Sequence, residues 1–64
     1  MSKYDVTVQL SGEDGNAFNI IGRVSRALRK AGATDEEVNT YTKESMSGDY
    51  ENVLRTAVAW VNVK

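Results

Sequence analysis

The chain of 64 residues carries eight Lys and Arg against nine Asp and Glu, a formal charge of -1, and contains no Cys, His or Pro. So short a chain makes one domain, 1–64, near the lower limit at which burial offsets ordering, and self-association is an available source of extra stability. Disulfides, Cys/His zinc sites and Ser-His or Cys-His nucleophilic catalysis are excluded by composition, and the near-neutral balance argues against a nonspecific polyanion binder.

The first element is the clearest strand. Tyr4, Val6, Val8 and Leu10 alternate with Asp5, Thr7 and Gln9, the period of two that gives a strand one buried face. Gly12 and Gly15 then mark a turn, with Asp14 or Asn16 placed to cap the helix that follows and Phe18 expected to anchor the corner in the core.

A first helix is expected over about 16 to 31, because Ala17, Ile20, Ile21, Val24, Leu28 and Ala31 recur at helical spacing and Gly32 is suited to end it. Thr34 with Glu37 forms a capping box that opens a second helix, whose narrow apolar stripe Val38, Tyr41 and Met46 predicts only partial cover of the core. Ser47, Gly48 and Asp49 stop it and start a third, with Tyr50, Val53, Leu54, Ala57, Val58 and Val61 on its apolar side.

Residues 60–63 suit a short strand as well as a last helical turn. The first strand decides in favour of the strand, since an isolated strand leaves its backbone groups unpaired. The expected fold is therefore a small α+β domain of β-α-α-α-β order, with the C-terminal strand pairing with the first and dimerisation in addition, because a two-stranded ribbon keeps open edges.

Charge is unevenly distributed. Residues 17 to 31 hold Arg23, Arg26, Arg29 and Lys30 without an acid, whereas residues 34 to 51 hold Asp35, Glu36, Glu37, Glu44, Asp49 and Glu51 against Lys43. Complementary rims on neighbouring helices are the leading explanation of this pattern, and a functional basic face is the lesser one.

The segments GEDGNAF, IIGRVSRALRKAG, SGDY and AWVNV together resemble a family of short proteins from bacteria and bacteriophage genomes. The resemblance runs from about Val6 to Val63. It implies a small soluble α+β domain in a phage or prophage context, and it brings no catalytic residue with it.

Two candidate sites stand out. The first is the loop Gly12, Glu13, Asp14, Gly15 and Asn16, where a helix N-terminus could hold an anion such as a nucleotide; Glu13 and Asp14 oppose that charge, and the spacing fits neither a Walker loop nor a calcium loop. The second is a partner-binding surface of Arg23, Arg26 and Lys30, which share a helix face, with Trp60 as an aromatic anchor. The leading expectation is a noncatalytic, homodimeric protein-interaction domain that engages a protein partner through the Arg face of the first helix or the acidic face of the second. A small-anion binder using the loop is the alternative, and a nucleic-acid accessory role ranks below both, because no helix-turn-helix spacing or stacking platform accompanies the cations.

No catalytic residue, metal or cofactor is expected. No apolar run approaches the roughly 20 residues of a membrane span, and the N-terminal residues lack the apolar stretch of a signal peptide, so a cytoplasmic protein is expected.

Overall fold

The computed structural model describes residues 3–10 and 17–64, in the order β1 (Thr7–Val8), α1 (Ala17–Lys30), α2 (Asp35–Ser45), α3 (Tyr50–Trp60) and β2 (Asn62–Val63). The expected β-α-α-α-β order is present. The proposed loop Gly12, Glu13, Asp14, Gly15 and Asn16 lies outside the described residues, and so does the capping role of Asp14 or Asn16.

β1 and β2 pair in parallel, with Thr7 opposite Asn62 and Val8 opposite Val63. Regular strand is short, but pairing extends along most of the alternating segment. The Lys3 and Tyr4 N–H groups donate to the Ala59 and Trp60 carbonyls, Asn62 N–H to Val6, Lys64 N–H to Val8, and Leu10 N–H to Lys64, all at 2.8 to 3.1 Å. The C-terminal tail therefore occupies one edge of the first strand, which is the pairing that the lone strand required.

Each helix is bounded by the local chemistry of its ends. Thr34 Oγ1 accepts from Glu37 N–H at 3.1 Å while Glu37 Oε1 accepts from Thr34 N–H at 3.0 Å, the reciprocal capping box. Asp49 Oδ1 accepts from Asn52 N–H at 3.0 Å and opens α3. Gly32 follows α1 with φ of +98°, a region that a side chain would strain.

The core gathers Ile20, Ile21, Val24 and Leu28 from α1, Val38 and Tyr41 from α2, Val53, Ala57 and Trp60 from α3, then Val61, with Val8 and Leu10 from the first strand. α1 packs against β1 and α3 against β2, while the three helices pack on one another.

Several apolar expectations are corrected. Phe18 is 73% exposed. It lies off the Ile20, Ile21, Val24 and Leu28 stripe, so it does not anchor the corner. Met46 sits beyond the end of α2 and is exposed, and Ser45 takes the buried position one turn after Tyr41. α2 thus buries the narrow stripe Val38, Tyr41 and Ser45, with Tyr41 wholly enclosed. Tyr50 and Val58 on α3 are also exposed.

Candidate interaction surface

An open groove of about 660 Å³ runs between β1 and α1. Its strand wall is Thr7, Val8 and Gln9, and its helix wall carries Asn19, Gly22, Arg23, Arg26, Ala27 and Lys30, with Phe18 at one end. The helix wall follows from the same periodicity that builds the core. Positions 19, 23, 26 and 30 recur on one side of α1, well away from the buried stripe, so they emerge together beside the strand.

Arg23, Arg26 and Lys30 are brought together along one wall of a concavity. Arg29 is not part of it. Its guanidinium pairs with the Asp35 carboxylate at the start of α2, and that pair is the rim complementarity anticipated between the basic and acidic helices. Arg23 is engaged in an interaction of its own. The side chains of Arg26 and Lys30 form no ion pair or hydrogen bond among the described residues. Two cations in one groove are thus left for solvent or a partner.

The strand wall was not among the sequence candidates. In a parallel pair, backbone groups of successive residues point to alternate edges. Val6, Val8 and Leu10 turn theirs toward β2, as the bonds to Asn62, Lys64 and from Leu10 show. The N–H and C=O groups of Thr7 and Gln9 consequently face away from β2. The alternation that identified the strand also encoded this edge, although it became meaningful only once β2 was known to fill the other one.

Gly22 adds a further property. A Cβ built there meets nothing within 4 Å among the described residues, so no contact with them requires glycine at that place. Mid-helix glycine costs about 0.5–1 kcal/mol relative to alanine. Gly22 is thus an opening in the groove wall among the described residues.

Trp60 is corrected. It is 3% exposed and belongs to an aromatic corner, so it offers no anchor on the surface of the domain. Its ring stacks on Tyr4 with centroids 6.2 Å apart and meets Tyr41 edge-on at 5.7 Å. Lys3 Nζ lies 4.3 Å from the Trp60 ring centroid, and Trp60 Nε1 donates to Glu44 Oε1 at 3.0 Å. Trp60 ends α3 where the chain turns into β2, which allows Trp60 and Val61 to be buried together while Ala59 stays exposed.

Among the described residues, the titratable groups that depart from ordinary behaviour are Tyr4, Glu37 and Tyr41, which are not among the residues lining the groove. The Tyr4 hydroxyl donates to Glu37 Oε2. That bond, with some burial and the nearby carboxylate charge, raises the tyrosine. Glu37 is lowered, first by the Thr34 backbone and then by Tyr4, with partial burial opposing. Burial raises Tyr41, against a smaller lowering effect of Ser45. The Tyr41 and Ser45 hydroxyls are enclosed without a well-formed hydrogen bond.

Among the described residues no three acids gather to hold a metal ion, and no helix is long and apolar enough to cross a membrane. No protein-family model matches the chain, and neither a curated protein nor a solved structure does.

Proposed function

We propose that the protein is a small noncatalytic interaction module that engages a protein partner through the basic wall of α1. The observation that carries this reading is the pair Arg26 and Lys30, exposed in the β1–α1 groove with no charge partner among the described residues. Charges placed this way contribute little to folding, and they steer and orient an oppositely charged surface. The groove is open along its length, whereas small-molecule sites bury 70–90% or more of a drug-sized ligand. That shape favours a protein surface over a free nucleotide or other small anion. The resemblance to short phage and bacterial proteins supports a phage or prophage setting, in which the partner is a host or phage protein.

Affinity capture from the native host with the wild-type chain and with an Arg26→Glu/Lys30→Glu variant tests the reading. The expected result is a partner lost on charge reversal at these positions and retained when Arg55, on α3, is reversed. A partner captured equally by all three proteins removes the basic face from the account.

Self-association is the accompanying proposal, supported by the row Tyr50, Leu54 and Val58 along α3, of which Tyr50 and Val58 are exposed. Light scattering should give a dimeric mass that falls to the monomer in Val58→Glu. A monomer at high concentration contradicts it.

A further inference from the structure

We propose that the groove accepts an extended acidic segment of a partner protein as a third strand on the free edge of β1, with carboxylates at alternate positions meeting Arg26 and Lys30. This inference rests on the interaction-module reading and specifies how that surface binds.

The free edge is the first support. β2 fills one side of the strand, and the Thr7 and Gln9 backbone groups face the other, where the groove lies and where no residue of β2 contributes to the lining. An exposed edge is a template for strand addition, in which main-chain bonds supply affinity and alternate side chains supply specificity.

Spacing is the second support. Arg26 and Lys30 are four residues apart on a helix, a rise of about 6 Å at 1.5 Å per residue. Side chains on one face of an extended segment recur about every 6.6 Å. Carboxylates at positions i and i+2 of an added strand therefore fall in step with the two cations, and the intervening residue points the other way.

Gly22 is the third. With no described residue within 4 Å of where its Cβ would be, α1 leaves room for a second main chain to approach at that level. A second copy of this protein is a poorer occupant. Pairing edge to edge would bring two sets of Arg26 and Lys30 into one groove, and like charges so placed repel.

The test uses blocked peptides of about eight residues, the length of ordinary strands, in which glutamate alternates with valine. Controls are the lysine–valine counterpart and the glutamate–valine peptide N-methylated at alternate residues. Amide spectra and hydrogen exchange are recorded on the intact protein. The expected result is slowed exchange at Thr7 and Gln9 with the acidic peptide only, and affinity lower by about tenfold or more after N-methylation or in Arg26→Glu/Lys30→Glu. Gly22→Leu should fold normally and weaken the peptide.

Shifts confined to α1, with Thr7 and Gln9 exchanging as before, overturn strand addition while leaving the basic-face reading intact. An equal response to the lysine–valine peptide overturns the acidic specificity. Edge protection that grows with protein concentration alone identifies a second copy as the occupant and overturns the proposal. So does the absence of any response at millimolar peptide, a result that leaves the capture experiment to judge the interaction-module reading separately.

Discussion

The aromatic corner and the basic groove sit on the same small domain and are built on opposite principles. At the corner, Tyr4, Tyr41 and Trp60 close on one another, and the polar ends of Tyr4 and Trp60 reach carboxylates on α2. In the groove, cations stand exposed and, among the described residues, the helix glycine has nothing packed against it and the strand edge has no neighbouring strand. The corner spends its side chains on stability, and the groove leaves stability unclaimed. Residues that could stabilise the fold but do not are therefore the better guide to function here.

The largest separation between the two regions is expected from Trp60→Ala. Removing a buried aromatic costs about 3–5 kcal/mol. At roughly 0.05–0.15 kcal/mol per residue a domain of this size has about 3–10 kcal/mol in all, so thermal or urea denaturation should show a large part of its stability lost. Two glycines sharpen the comparison next. A Cβ at Gly48 would lie 2.9 Å from Asn52 Cβ, and the Asn52 amide donates to the Glu44 and Ser45 carbonyls at 2.8 and 3.2 Å. Gly48→Ala is thus expected to lower stability by about 1–3 kcal/mol, since overpacking here disturbs the joint between α2 and α3.

Gly22→Ala should do the reverse, raising stability by about 0.5–1 kcal/mol in the same denaturation series. A destabilising Gly22→Ala would mean that something in the domain does press on that wall. Smaller still is the effect of Arg26→Gln/Lys30→Gln. Folding should change by less than about 0.5 kcal/mol per site, as for surface positions without a partner, while partner capture is lost.

The pH response should come from the corner and the capping box. Glu37 is lowered in the fold, so its contribution is complete above the ordinary glutamate range and disappears as pH falls through its depressed value. Tyr4 and Tyr41 are raised, so their contribution is complete below the ordinary tyrosine range and is lost as pH rises through their elevated values. Melting midpoints across pH should therefore decline at both ends, and Glu37→Gln should flatten the acid limb.

Much of the architecture was legible because it is local. The alternation from Tyr4 to Leu10, the Thr34–Glu37 capping box, Asp49 and Gly32 each act within a few residues, and each sits where its chemistry demanded. Pairing of the tail with the first strand was inferable from unpaired backbone, although its parallel direction was not, since that depends on how three helices carry the chain back. Phe18 and Met46 were misread for one reason. Apolar character says that burial is favourable, but which way an element rolls is decided by its packing partners, and Ser45 gained an enclosed place that Met46 seemed better suited to fill. The basic face was visible as helical spacing, whereas Thr7 and Gln9 gained significance only when β2 was found on the other edge. Asn52 carried no signal as the stitch between α2 and α3, because its partners lie across a turn.

The central claim is that the first strand has one filled edge and one open edge facing the groove. Amide hydrogen exchange on the protein alone tests it most directly. The account predicts strong protection at Val8, Leu10 and Asn62 and rapid exchange at Thr7 and Gln9. Protection of Thr7 and Gln9 equal to that of Val8, at protein concentrations where the chain is monomeric, would contradict it.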